Sequence, residues 1–257
     1  MFNASEDARY LAGGMTLLPT MKQRLAAPEI LIDLNGINSL RGIEKHNDVI
    51  VIGALTTHAQ VAASTLVQQN IPALAGLASV IGDPQVRNRG TLGGSVANSD
   101  PAADYPAALL GLNATIHTNK RSIVAGEFFI DIFETALEDD ELITTVSFPI
   151  HDCASYCKFP NPASGYATVG VFVTCDKPGT PQQEVRVAVT GAAGCVFREE
   201  SMEAALRKNF NVESLAAIEI DAEEFNEDIH ASAAYRAHLV GVMARRAVQS
   251  ITTDQIP

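Results

Sequence analysis

The sequence predicts an α+β fold in two parts, on three features. Apolar runs of strand length alternate with stretches of helical period through the first half. A polar, glycine-rich segment without period interrupts them at 85–106, and past residue 150 the order changes to long strand-like runs followed by helices. The 257 residues have the volume for one large domain or two modest ones, and the change of pattern divides them into 1–150 and 151–257. With 47% hydrophobic and 19% charged residues, disordered, collagen-like and coiled-coil chains are excluded.

In order along the chain, a helical stretch at 17–25 follows the short apolar Tyr10-Leu11, and runs at 29–34 and 48–53 read as strands. A helix at 57–66 opens behind Thr56 and Thr57, whose hydroxyls can satisfy an orphan amide, and His58 takes a surface or first-turn place. The helical stretch at 71–81 ends in Gly82-Asp83-Pro84, after which 85–106 reads as a long functional loop. Strands are expected at 114–117, 122–124 and 142–149, with Glu138-Asp139-Asp140-Glu141 as a solvated turn. In the second part, strands at 166–175 and 185–190 precede helices at 201–208 and 231–247. Tyr235, Leu239, Val242 and Arg246 share a face of the last helix.

The 18 Lys and Arg against 30 Asp and Glu give a formal charge of −12, which repels phosphate backbones and anionic lipid heads. Nucleic acid and membrane surfaces are therefore not expected partners. Residues 1–10 carry Glu6 and Asp7 and no apolar segment, and no run of about 18 apolar residues follows, so the expectation is a cytoplasmic chain without a membrane span. Cys153, Cys157, Cys175 and Cys195 are too few and too scattered for a disulfide framework and read as buried thiols rather than metal or cluster ligands.

Two glycine pairs carry the chemistry. The first stands in Ala12-Gly13-Gly14-Met15-Thr16, ahead of a helical stretch; the second stands in Thr91-Leu92-Gly93-Gly94-Ser95. Paired glycines permit positive φ and leave no side chain between the main chain and a ligand, while the amides at a helix start present partial positive charge. Either pair alone could merely end a strand or make a tight turn. Two donor-rich turns in one small part suggest one ligand with two phosphates, gripped by uncharged groups, and a dinucleotide fits that description. Neither is a dinucleotide fingerprint of the Gly-x-Gly-x-x-Gly kind, and no phosphate loop ending in Gly-Lys-Ser/Thr occurs. Near them, Asp100 is expected to cap the helix that starts at Pro106, and Asp104 to contact a sugar or ribitol. Arg87 and Arg89 either face the phosphates or pair with Asp83.

Four segments together resemble the FAD-binding medium subunit of molybdenum hydroxylases, the family of the carbon monoxide dehydrogenase medium subunit and the xanthine dehydrogenase FAD subunit. They are Ala12-Gly13-Gly14-Met15-Thr16-Leu17-Leu18-Pro19, Gly53-Ala54-Leu55-Thr56-Thr57-His58, 83–95 and Asp100-Pro101-Ala102-Ala103-Asp104-Tyr105-Pro106-Ala107. The C-terminal part, with Val187-Ala188-Val189-Thr190-Gly191-Ala192 and Ala234-Tyr235-Arg236, is similar to that family's flavoprotein domain. The resemblance implies a PCMH-type FAD-binding domain over 1–150, shortened at its N-terminus, and a smaller α+β flavoprotein domain over 151–257.

By the same resemblance, Ala12, Gly13, Gly14, Met15 and Thr16 and then Thr91, Leu92, Gly93, Gly94 and Ser95 wrap the FAD pyrophosphate, and Asp104 hydrogen-bonds the flavin nucleotide. Lys158 and Tyr166 lie near the isoalloxazine, with Ile81 and Ile143 lining it. A lysine there would favour the reduced, anionic flavin. Three departures stand out: only eleven residues precede Ala12, Met15 replaces a polar residue, and the segment after Lys158 is uncharged.

The function implied is electron transfer. FAD accepts electrons from the [2Fe-2S] clusters of a small subunit, fed by a molybdopterin-binding large subunit, and passes them to an external acceptor. The alternatives are a self-contained flavin oxidoreductase and a docking subunit that has lost FAD. No catalytic acid–base pair and no metal ligands are expected in this chain.

Overall fold

The computed structural model describes residues 7–254; the reading of a leaderless start falls partly on residues 1–6, outside them. Strand β1 (Ala8–Leu11) pairs in parallel with β2 (Ile30–Asp33), and the crossover that a parallel pair requires contains helix α1 (Leu17–Lys22). The first glycine turn is the exit from β1.

An antiparallel five-stranded sheet follows, in the order β3 (Ile43–His46), β4 (Val49–Gly53), β9 (Ile143–Pro149), β5 (Thr115–Thr118), β6 (Ser122–Val124), with a small antiparallel pair, β7 (Phe129–Asp131) and β8 (Glu134–Thr135), between β6 and β9 in the chain. Strand β4 alternates as a one-sided strand should, with Ile50 and Ile52 in the core. They pack with Val61, Leu74, Leu77, Leu92, Leu109 and Phe148 from the helices and strands around them.

The helix expected at 57–66 is two helices, α2 (His58–Ala63) and α3 (Thr65–Asn70), because Ser64 stops the first and caps the second at Val67 N. Thr57 caps α2 in a reciprocal box with Gln60, whereas the Thr56 hydroxyl is spent on the Gly42 backbone. After α4 (Pro72–Ser79), the segment expected as a long loop contains helices α5 (Pro84–Arg89) and α6 (Leu92–Asn98), and α7 (Tyr105–Gly111) closes it. Asp83 caps α5 at 2.8 Å from Val86 N, and Thr91 caps α6 at 3.2 Å from Gly94 N. Helices this short hold too few turns for an apolar period to show.

The C-terminal part is an antiparallel sheet, β10 (Cys153–Pro160), β11 (Ala167–Asp176), β12 (Glu184–Thr190), β13 (Phe197–Arg198), packed by α8 (Glu200–Lys208) and α9 (Ala233–Asp254). Strand β11 is buried on both faces. Val169, Val171 and Val173 meet Leu239, Val240 and Met243 in a second core, while Phe172 joins the first core, and a methyl on Gly111 of α7 would stand 2.7 Å from its ring. The buried stripe of α9 runs through Arg236, Leu239, Val240, Met243 and Ala247, and of the residues expected to share a face Leu239 lies in that stripe while Tyr235 is 42% exposed. Glu141, expected in a solvated turn, is buried under Arg121.

Candidate functional site

A cavity of about 830 Å³ runs between the two glycine turns and the junction of the two parts. Its wall includes Ala12, Gly13, Gly14, Met15 and Thr16 from the first turn and Thr91, Gly93, Gly94 and Ser95 from the second, with Ile81, Asp104, Ile143 and Tyr166. Two of the residues expected there lie elsewhere. Leu92 points into the first core, as the buried side of a two-turn helix must, and Lys158 sits behind Asp104.

The two turns lean on each other. A methyl on Gly13 would stand 2.1 Å from the Arg89 carbonyl oxygen, and one on Gly94 would stand 3.7 Å from Ala12 Cβ. Gly14 has φ +74, a conformation that favours glycine. The turns differ in what they offer. In the second, the helix-start amides are already committed: Leu92 N donates to Thr56 O, Gly93 N to Ala54 O, Gly94 N to Thr91 Oγ1 and Ser95 N to Thr91 O. In the first, Asn35 takes the Ala12 carbonyl at 3.0 Å, and among the described residues nothing accepts from the amides of Gly13, Gly14, Met15 or Thr16. The expectation of free main-chain donors therefore holds for the first turn only. The second contributes the hydroxyls of Thr91 and Ser95 and a bare surface.

At the junction end, Gly165 (φ +72) brings the turn before β11 against Gly82 (φ +48), setting Tyr166 opposite Ile81. Asp104 is buried and bound from the second part by two side chains of β10. Tyr156 Oη donates at 2.5 Å and Lys158 Nζ at 2.9 Å; Lys158 also donates to the Val80 carbonyl at 3.2 Å. Burial pushes the Asp104 carboxyl above the usual range, opposed by the Lys158 charge and the Tyr156 hydroxyl. Asp100 does not cap the following helix: Ala102 N donates to it at 2.9 Å, closing a local turn, and burial raises its carboxyl too. Arg87 does not pair with Asp83 and does not line the cavity; it donates to the carbonyls of Ile81 and Gly82, at 3.0 and 2.8 Å.

Two residues of the site were not legible beforehand. Tyr156 is two positions from Lys158 on one strand, and that period was the available signal. His58, expected at the surface or in a first turn, does open the first turn of α2 but is buried in the cavity wall against Tyr105, ring centroids 5.3 Å apart, with Nδ1 unpartnered. Burial and the Arg87 charge bring its pKa down to about 4. The arrangement can hold an elongated ligand with a phosphate group on free amides and hydroxyls and an aromatic end at the junction. The bare turns where a Cβ would intrude, and the unclaimed amides beside them, fit FAD.

Comparison with known proteins agrees. Residues 1–151 match the family described as the FAD binding domain in molybdopterin dehydrogenase, and 154–251 the CO dehydrogenase flavoprotein C-terminal domain. The carbon monoxide dehydrogenase medium chain of Hydrogenophaga pseudoflava is 36% identical over 95% of this chain and 89% of its own length. The xanthine dehydrogenase FAD-binding subunit of Escherichia coli O157:H7 is 27% identical over 94% and 88%. The structure of reconstituted CO dehydrogenase from Oligotropha carboxidovorans superposes with a TM-score of 0.91 at 32% identity, covering 98% of this chain and 92% of that one. Matched at both halves and along nearly its whole described length, the chain belongs to the family of FAD-binding medium subunits of molybdopterin dehydrogenases.

Proposed function

We propose that the chain is the electron-transfer subunit of a molybdenum hydroxylase complex, with residues 1–150 holding FAD and 151–257 closing the flavin end of its site. The observation that carries this is the pairing of two bare turns on one cavity, one with four amides unclaimed among the described residues and one with the Thr91 and Ser95 hydroxyls. Gly13, Gly14, Met15 and Thr16 would hold the pyrophosphate from their main chain, and Gly93 and Gly94 would let it approach. Ile81, Ile143 and Tyr166 would enclose the isoalloxazine, and Asp104 would hydrogen-bond the nucleotide from a position fixed by Tyr156 and Lys158. Bound FAD supplies a carrier that exchanges electrons singly or in pairs.

Relatives named as a medium chain and as a complex subunit support assembly with other subunits, and the proposal takes these to be a small [2Fe-2S] subunit as donor and a molybdopterin-binding large subunit upstream of it. No helix among the described residues is long and apolar enough to cross a membrane.

The test is the visible flavin absorbance of the purified chain, alone and after addition of FAD. The double variant Thr91→Val with Gly94→Val removes a hydroxyl and places Cβ 2.8 Å from the cap position, and is expected to lose the colour. A folded wild-type chain that stays colourless with added FAD defeats the proposal. A coloured chain whose purification from its source brings neither molybdenum nor iron supports the self-contained oxidoreductase instead.

A further inference from the structure

Asp104 and Tyr166 face the cavity from irregular backbone, and irregular backbone needs its polar groups held before it can fix a side chain. Asp100 takes the amides of Ala102 and Ala103 ahead of Asp104, and the carbonyls of 101–103 are held from the second part. The Pro101 carbonyl accepts from Gly191 N at 2.8 Å and Thr190 Oγ1 at 2.9 Å. The Ala102 carbonyl accepts from Ala167 N at 3.2 Å, and the Ala103 carbonyl from Thr190 Oγ1 at 2.7 Å. The donors sit at the start of β11, directly after Tyr166, and at the end of β12.

Those two strand ends are joined by one buried cation. Arg236 of α9, its side chain 6% exposed, donates from Nη1 to the carbonyls of Thr168 at 2.7 Å and Gly191 at 2.8 Å, and from Nη2 to Asp228 at 2.7 Å. Gly191 has φ +84, and a methyl there would stand 2.6 Å from the Ala167 carbonyl oxygen, so the corner is closely packed as well as bent. A planar guanidinium bridging two carbonyls fixes their separation in a way a flexible ammonium does not. Arg236 does not line the cavity.

We propose that Arg236 is a positioning residue for the flavin site: it clamps Thr168 to Gly191, and the clamped corner sets the 101–103 carbonyls that aim Asp104 and the strand start that carries Tyr166. This rests on the assignment of the cavity to FAD. The role differs from plain stabilisation, because the clamp's effect passes through the 101–103 carbonyls to two residues at the flavin end.

The experiment uses the full chain loaded with FAD. Arg236→Met, Arg236→Lys and Thr190→Val are compared with Ser64→Ala, a cap substitution on α3 distant from the corner. For each, the FAD dissociation constant, the flavin midpoint potential, the visible circular dichroism and the unfolding temperature are measured. Arg236→Met and Thr190→Val are expected to weaken FAD binding about tenfold or more and to shift the potential and the visible spectrum in the same sense. Arg236→Lys is expected to recover part of the loss, and Ser64→Ala to lower the unfolding temperature with the flavin signals unmoved. If Arg236→Met fails to fold, Thr190→Val decides: wild-type affinity and potential in that variant overturn the clamp. A wild-type chain that binds FAD while both variants match it overturns this inference alone, whereas a wild-type chain that takes up no FAD overturns the cofactor assignment and the inference with it.

Discussion

Lys158 donates to Asp104 at 2.9 Å from 54 positions further along the chain, and both side chains are almost fully buried, 6% and 4% exposed. The lysine side chain of the second part is thus spent on a carboxylate of the first. Its influence on a ligand acts through Asp104, which keeps a charge partner and a phenol donor on the side away from the cavity.

Removing one member of such a pair costs more than removing both. Lys158→Met leaves Asp104 buried without its cation, a loss of about 3–5 kcal/mol. The double variant with Asp104→Leu is expected to regain much of this, short of full recovery because Tyr156 Oη then lacks its acceptor. Urea unfolding of the single and double variants measures the difference, and equal losses would show that the pair is not coupled.

Gly13 and Gly76 give a matched comparison. A methyl at Gly13 meets the Arg89 carbonyl oxygen at 2.1 Å, whereas at Gly76, on the exposed side of α4, it meets nothing within 4 Å. Gly13→Ala should displace the first turn and abolish flavin retention; Gly76→Ala should retain flavin and stabilise the chain by about 0.5–1 kcal/mol through helix propensity. Absorbance and thermal unfolding read both.

Glu141 makes stability acid-sensitive in a low window. The Arg121 guanidinium, with help from Glu138 N and Thr118 Oγ1, holds its pKa down to about 2 against an ordinary 4.5. A depressed carboxyl stabilises the folded state fully above its unfolded pKa and loses that contribution as pH falls through the folded value. The deficit of Glu141→Gln should therefore be constant near neutrality and vanish between pH 4.5 and about 2. Denaturant midpoints across that range provide the check.

His58 acts in the same sense and at higher pH. Its folded pKa of about 4 lies below the ordinary 6.5, so the unfolded chain binds the proton first. Stability should fall as pH drops from 6.5 toward 4, and His58→Leu should lack that slope. A His58 imidazole resonance titrating near 6.5 would contradict the burial argument.

Seven of the strands, β2, β4, β5, β6, β9, β11 and β12, and the glycine turns were legible because their signals are local, whereas β3 and β10 were not expected. Ile50 and Ile52 alternate along β4, and Gly13 and Gly94 stand where a side chain would collide with backbone or with the Thr91 cap. What was missed depends on distant partners or on elements too short for a period. Nothing within 83–98 distinguishes a loop from two short capped helices, and the sequence does not reveal that Thr56, Ala54 and Thr91 absorb the amides of α6. Lys158 was readable as a cation near the site, but its orientation was not, because Asp104 and the Val80 carbonyl reach it from a different part of the chain. Arg236 fell outside the expected face of α9 because a buried arginine looks, to a hydropathy pattern, like a solvated one.

Strand β11 serves as a party wall, its odd-numbered valines in one core and Phe172 in the other. Neither half can swing away without tearing its neighbour's interior, so ligand entry and release must use the mouth of the cleft rather than a hinge. Calorimetry on the intact chain should show a single endotherm, and protease digestion should yield no persistent half-molecule.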